Sequence, residues 1–199
     1  KAVQIGELIG FDTWPYFKNL PFAIFMFTSL LACVSMMPYW ALGSSFLNVM
    51  GIERSGAWLT LGQVAELVVL SVVLPFFIGK YGIKWTMLIG VLSWIIRFML
   101  FSVAAVTANQ GAMYTWLIIA IVLHGFSYDF VFVSGYLYVD KHVKENVRAQ
   151  AQGLLVVFTQ GIGFLVSSQI FVTLIYGSIS TKDSSVTGWK NFWVTPVFY

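Results

Sequence analysis

The sequence predicts an all-α protein that crosses a membrane several times. Hydrophobic residues make up 59% of its 199 residues and charged residues only 10%, which is too little polar surface for a soluble globule of this size. The apolar residues also fall into long runs separated by short polar loops. Each run approaches the roughly 20 residues that a helix needs to cross a bilayer.

The apolar runs predict five complete spans and the beginning of a sixth. We expect the spans at about 21–48, 56–78, 85–106, 112–139, 149–176 and, incomplete, 188–199. Residues 1–20 are more polar and are expected to form a cytoplasmic loop that leads into the bundle. Because the chain starts at Lys1 and stops soon after the sixth run begins, we expect it to be an internal piece of a longer protein.

The charges of the loops predict an orientation. The larger basic group lies before the first run and in loops 79–84 and 140–148, and consists of Lys18, Lys80, Lys84, Lys141, Lys144 and Arg148. The smaller group, on the other side, consists of Arg54, Lys182 and Lys190. Positive residues favour the cytoplasmic side of a membrane, so we expect the first group to be cytoplasmic.

Composition also argues against two other classes of protein. The single cysteine, Cys33, allows no disulfide within the chain. The net charge of +3 comes from short loops and forms no basic stripe, so nucleic-acid binding is not expected.

Small residues recur at four-residue spacing in the fifth run, at Ala149, Gly153, Val157 and Gly161. Such a stripe is typical of a helix that packs closely against another helix in a membrane. We therefore expect these residues to form a packing face.

Ionisable side chains occur inside three consecutive predicted spans: Glu66, Arg97, His124 and Asp129. A charge at membrane depth is costly and usually faces the bundle interior or a water-filled cavity. We expect Arg97 to pair with Asp129 or Glu66, the only carboxylates at that depth. A purely structural ion pair is the alternative, but one carboxylate and one histidine remain beyond that pair, which favours a function.

This cluster is suited to moving a proton together with a polar solute. A carboxylate such as Glu66 or Asp129 can alternate between charged and neutral forms, and Arg97 can restore the charged form. His124 is a second candidate for the proton, or a hydrogen-bonding partner of the substrate. His124 and Asp129 lie about 140° apart around a helix, so they need not face one cavity, whereas Tyr128 shares the face of His124.

Enzyme and metal-site interpretations are not supported by the sequence. The Tyr128-Asp129 pair is typical of intramembrane aspartyl proteases, but that chemistry needs a second aspartate, and the partner motif GxGD is missing because Phe164 follows Gly163. The two histidines are too far apart in sequence for a metal site. We therefore expect neither an enzyme nor a cofactor.

Several stretches resemble the nucleoside:proton symporter family of the major facilitator superfamily, in its C-terminal half. They are QVAEL (63–67), PFFIGKYGIK (75–84), SWIIRFMLF (93–101), YDFVFVSGYLYVDK (128–141) and VRAQAQG (147–153). The resemblance implies a twelve-helix transporter of two six-helix halves, of which this chain is one, with the substrate held at the midplane between them.

The resemblance also implies roles for individual residues. Gln63 and Glu66 match positions that contact the nucleoside, and His124 and Tyr128 match a tyrosine and a phenylalanine of the binding site. In the first span, Met37 and Trp40 stand where the family has glutamine and asparagine that face the nucleoside.

We therefore expect proton-coupled import of a nucleoside across the cell inner membrane by alternating access. The expected partners are the substrate, protons, the lipid bilayer and the N-terminal half of the same protein. Substrate contacts are expected from Gln63, Glu66, His124, Tyr128, Trp40 and Met37, and proton coupling from Glu66, Arg97 and Asp129. The alternatives are a sugar or glycoside symporter, because the charged residues also resemble those of lactose permease, and a non-transporting membrane module with structural ion pairs.

Overall fold

The computed structural model describes residues 10–171 and 186–198, and within these ranges the regular structure is entirely helical. A 3₁₀ helix, Phe11–Lys18, leads into the first span, the α-helix Leu20–Val49. That span begins where the side chain of Asn19 accepts a hydrogen bond from the Phe22 backbone N–H at 3.4 Å, with Pro21 in the first turn. This arrangement satisfies a backbone donor that would otherwise lack a partner at the start of the helix.

The next helical segment, Ser55–Val106, is long enough to cross a membrane twice. It contains an α-helix Ser55–Val68, a π-helical turn Val69–Val73 and a second α-helix Leu74–Val106. The second helix is broken at Gly82, whose φ of 76° and ψ of 169° are not helical. Glycine populates this region at no steric cost, so the chain can reverse there.

Packing shows that the two parts of this segment run in opposite directions. In residues 55–81, the second span, Trp58 contacts Tyr114 and Phe77 contacts Phe130. Residue numbers therefore increase in the same direction in this span and in the contacted helix, residues 110–142. In residues 83–106, the third span, Gly90 approaches Phe130 whereas Arg97 reaches back to Ala120. The second span is therefore parallel, and the third antiparallel, to the helix they both contact.

That helix is the fourth span, Gln110–His142, and it lies at the centre of the bundle, with 61% of its apolar window buried. It consists of α-helices Gln110–Val122, His124–Tyr128 and Ser134–His142, with a turn at Leu123 and a π-helical turn Asp129–Val133. The side chain of Asn109 caps its start by accepting from the Ala112 N–H at 2.9 Å. π-helical turns inside α-helices are frequent at functional sites.

The fifth span, Glu145–Phe171, contains α-helices Glu145–Val156 and Phe164–Ser167 around a π-helical turn, Val157–Gly163. The predicted end of this span, 172–176, lies outside the described residues. An α-helix Val186–Val194 and a 3₁₀ helix Thr195–Phe198 follow.

The last helix is fixed to the first and third spans by aromatic packing. Trp193 is fully buried, with its ring centroid 5.3 Å from Phe46 and 5.0 Å from Phe101. The hydroxyl of Ser102 also donates to the backbone carbonyl of Lys190 at 3.1 Å. These contacts hold together the C-terminal ends of the first and third spans.

The N-terminal 3₁₀ helix is bound to the loop between the fourth and fifth spans and to the first turns of the fifth span. The Lys144 N–H donates to the hydroxyl of Tyr16 at 3.0 Å, and the Gln150 side chain donates to the Asp12 carboxylate at 3.0 Å. Lys84 lies beside Pro21 in a cavity at the same end of the bundle. Lys84 and Lys144, two of the basic residues predicted to share one side, thus lie at one end of the bundle.

The packing face expected at Gly153 and Gly161 is wrong for the described part of the chain. Gly153 is exposed and a Cβ built on it meets nothing within 4 Å, while one on Gly161 meets only Val157 of the same helix, at 3.9 Å. Close helix packing occurs at other glycines instead. A Cβ on Gly90 would lie 2.7 Å from that of Phe130, and one on Gly163 would lie 2.9 Å from that of Cys33.

Candidate functional site

Arg97 of the third span is fully buried at the centre of the bundle. Its Nε donates to the backbone carbonyl of Ala120 at 2.8 Å, and its Nη1 lies 3.0 Å from Nδ1 of His124. The guanidinium carbon lies 3.6 Å from the ring centroid of Tyr39 and 4.8 Å from that of Trp94. Aromatic faces attract a cation, so the first and third spans together enclose the charge.

His124 connects this arginine to a carboxylate. The Nε2 of His124 lies 3.7 Å from Oε2 of Glu66, and the side chain of Glu66 is 24% exposed. A continuous polar path therefore runs from buried Arg97, through buried His124, to partly exposed Glu66. It joins the third, fourth and second spans.

Two glycines allow the second and fourth spans to approach closely enough for this contact. A Cβ on Gly62 would lie 3.1 Å from that of His124, and a Cβ on Gly125 would lie 2.8 Å from the carbonyl carbon of Ala65 and from the nitrogen of Glu66. Each glycine is on one of the two facing helices. Their missing side chains bring the backbone of Glu66 against the helix that carries His124.

The expected pair between Arg97 and Asp129 is not formed. Asp129 is 1% exposed, and neither of its carboxylate oxygens has a hydrogen-bond partner among the described residues. The reason is helical geometry: Asp129 is four residues after Gly125, so it lies on the side that packs against the second span, whereas Arg97 contacts the side of Ala120 and His124. Glu66 does not contact Arg97 directly either, because His124 lies between them.

The remaining predicted substrate residues lie around the exposed end of this path. Tyr128 is half-buried, with its ring centroid 5.6 Å from His124 and 5.8 Å from Trp40. Trp40 is 38% exposed and packs edge-on against Phe164 of the fifth span at 4.9 Å. The structure thus brings His124, Glu66, Tyr128 and Trp40 together.

Gln63 and Met37 are the less well defined members of the predicted set. Gln63 is exposed and lies one turn before Glu66, so it shares the face of that residue. Met37 is partly exposed and lies one turn before Trp40. Their positions on these two helices are compatible with the predicted contacts and leave them untested.

Sequence reasoning missed two groups of residues in this site. Tyr39 and Trp94 form the aromatic surroundings of Arg97, and Gly62 and Gly125 set the spacing of the spans. The one available signal was Trp94, which lies three residues before Arg97 and therefore on its side of the helix. Nothing in the sequence marks Tyr39 among the many aromatic residues of the chain.

The described residues contain no group of three histidine, cysteine, aspartate or glutamate side chains placed to bind a metal ion.

Comparison with known proteins gives consistent results. The sequence model described as "Nucleoside H+ symporter" matches residues 1–199. YegT of Escherichia coli (strain K12) is 33% identical over 194 residues, which cover 96% of this chain and 45% of that protein. The nucleoside permease NupG of the same organism is 27% identical, over 94% of this chain and 46% of the permease. The chain thus spans about half the length of these relatives.

A crystal structure of a mutant of the nucleoside transporter NupG matches the whole of this chain and 50% of its own, with a TM-score of 0.85 and 25% sequence identity. This match confirms the predicted fold class, an all-α polytopic membrane protein with the architecture of the C-terminal half of a major facilitator transporter.

Proposed function

Because the chain belongs to the nucleoside H+ symporter family, we propose that it is one half of a secondary active transporter, which imports a nucleoside together with protons by alternating access. The observation that carries the proposal is the path from Arg97 through His124 to Glu66. Tyr128, which contacts His124, connects this path to the partly exposed ring of Trp40. The second half of the cavity would come from an N-terminal bundle of the same protein.

The partly exposed end of the path suits a nucleoside, which combines a flat base with a polar sugar. The rings of Trp40 and Tyr128 contact each other, with their centroids 5.8 Å apart, and both are partly exposed. Aromatic rings bind flat apolar surfaces. Glu66 accepts hydrogen bonds, and Gln63 on the same helix face can donate and accept them. A site built in this way discriminates strongly against ligands that lack the matching polar groups.

Proton coupling is assigned to the two carboxylates, with Arg97 as a fixed positive charge. Asp129 can bind a proton without losing an ion-pair partner, since neither of its oxygens has a partner among the described residues. Glu66 is the partly exposed neighbour of the buried His124, so a proton on Glu66 changes the hydrogen bonds that a substrate meets there. Binding of the nucleoside and binding of the proton are thereby linked.

A sugar or glycoside is the second candidate substrate, supported by the exposed ring of Trp40, because an aromatic face also packs against the apolar face of a sugar. We further propose location in the cell inner membrane, with loops 79–84 and 140–148 cytoplasmic. The grouping of Lys84 and Lys144 at one end of the bundle supports this orientation.

The coupling role is tested by Glu66→Gln in the full-length protein, reconstituted in liposomes. The variant should lose accumulation driven by an inward proton gradient and keep exchange of internal for external nucleoside, because the amide cannot release a proton. Glu53→Gln is the matched control, since Glu53 is an exposed residue of the loop before the second span, and it should accumulate normally. Full accumulation by Glu66→Gln would show that Glu66 has no role in proton coupling.

A further inference from the structure

The contact between Arg97 and His124 determines which nitrogen of the imidazole carries a proton. A guanidinium group has only donors and does not deprotonate in proteins. The Nη1 of Arg97 lies 3.0 Å from Nδ1 of His124, so Nδ1 must accept the hydrogen bond. The ring is then neutral, and its single N–H is on Nε2.

Arg97 cannot easily move away from this contact. Its Nε donates to the carbonyl of Ala120 at 2.8 Å, and its guanidinium group lies against Tyr39 at 3.6 Å. Ala120 and His124 are four residues apart and share one helix face. One planar guanidinium group therefore donates hydrogen bonds to both the backbone of Ala120 and the imidazole of His124 on the same helix.

We propose that Arg97 is a positioning residue, which holds His124 in the neutral Nε2–H form and makes it a fixed hydrogen-bond donor directed at the partly exposed Glu66. The Nε2 of His124 and the Oε2 of Glu66 are 3.7 Å apart, which is longer than a hydrogen bond. The side chain of His124 is 2% exposed and that of Glu66 is 24% exposed, so a ligand reaches the carboxylate directly and the N–H of His124 lies immediately behind it. The part of this inference that concerns substrate rests on the proposed function.

The same geometry excludes His124 as the carrier of the transported proton. The groups that face its ring are Tyr39 from the first span, Glu66 from the second, Arg97 from the third and Tyr128 from its own helix. Protonation of Nδ1 would place an N–H and a positive charge directly against the N–H groups of Arg97. Of the candidates weighed for the proton, Glu66 and Asp129 remain.

The tautomer can be read directly by nuclear magnetic resonance on the full-length protein labelled with ¹⁵N in histidine. Correlation of the ring nitrogens with the carbon-bound ring protons distinguishes the two neutral tautomers and the imidazolium. The signals of His124 are identified by their loss in His124→Gln. The expected result is a neutral ring with its proton on Nε2 from pH 5 to pH 8, and a proton on Nδ1 at pH 6 would overturn the proposal.

Replacement of the arginine tests the cause of this state. In Arg97→Gln the ring of His124 should show a second tautomer or an imidazolium in the same spectra, since no obligate donor faces Nδ1. An unchanged spectrum in a folded Arg97→Gln protein would overturn the positioning role. If the variant does not fold, the wild-type spectrum still decides the tautomer, and a proton on Nδ1 there would overturn the proposal.

A pair of conservative variants tests the donor itself. The amide nitrogen of His124→Gln can reach the place of Nε2, whereas that of His124→Asn reaches only the place of Nδ1. The KM for uptake should rise about tenfold more in His124→Asn than in His124→Gln, as expected for the loss of one hydrogen bond, and equal KM values would overturn the donor role. A wild-type protein that shows the Nε2–H form but transports no nucleoside would refute the proposed function alone.

Discussion

Gly125→Ala tests whether contact between the second and fourth spans builds the site. An added Cβ would lie 2.8 Å from the carbonyl carbon of Ala65 and 2.8 Å from the nitrogen of Glu66. Both are backbone atoms, so no flexible side chain can move aside. The substitution must push the two helices apart.

The size of the effect follows from these distances. Ordinary contact begins near 3.4 Å, so the backbone of the second span must retreat by about 0.6 Å or the fourth span must bend. Overpacking of this kind costs about 1–3 kcal/mol. The same displacement lengthens the separation of 3.7 Å between His124 and Glu66, so uptake should fall together with stability.

The assay is thermal unfolding of the purified full-length protein, followed by uptake in liposomes. Gly56→Ala is the control, because Gly56 is also helical, is exposed, and a Cβ on it meets nothing within 4 Å. We expect a lower melting temperature for Gly125→Ala and an equal or higher one for Gly56→Ala, since alanine is the better helix former. Equal melting temperatures and equal uptake for the two variants would refute the close approach of the second and fourth spans at Gly125.

Three further substitutions have defined outcomes. Asp129→Asn should keep or raise the melting temperature while abolishing proton-driven accumulation, because it removes a buried carboxyl group without partners among the described residues; a clear loss of stability would reveal a partner. Gly82→Ala should destabilise the protein by about 1 kcal/mol or more, because its φ of 76° disfavours any side chain, and an unchanged melting temperature would contradict the turn. Trp40→Leu should raise the KM for uptake and lower the melting temperature, since the ring is 38% exposed but packs against Phe164; an unchanged KM would exclude stacking on substrate.

The fold could be predicted because it depends on properties that a sequence carries directly. Long apolar runs allow only helices in a bilayer, where each backbone polar group must find its partner within the span. The short basic loop at 79–84 likewise separated two predicted spans, and the structure places the break between them at Gly82. The resemblance then supplied the superfamily, and the structural match confirms it.

The partners inside the site could not be predicted in the same way. Sequence spacing correctly placed His124 and Asp129 on different faces of the helix. It did not show which of these faces contacts Arg97. That choice depends on how the fourth span is rotated against its neighbours. The rotation is set by contacts such as those at Gly62 and Gly125, which join residues far apart in sequence.

The small residues of the fifth span also show that spacing alone does not predict which helices are in contact. Gly153 has the spacing of a packing motif, yet it is exposed in the described part of the chain. Gly125 has no such repeat, yet a Cβ on it would lie 2.8 Å from backbone atoms of the second span. Spacing identifies which residues share a face. It does not identify the neighbour that the face meets.

The most direct test of the proposed transport is uptake by the full-length protein in liposomes, measured for a panel of labelled nucleosides and sugars. With an inward proton gradient, at least one nucleoside should accumulate above its external concentration, and a protonophore should abolish the accumulation. Accumulation that survives the protonophore, or that occurs with sugars and not with nucleosides, would contradict the account.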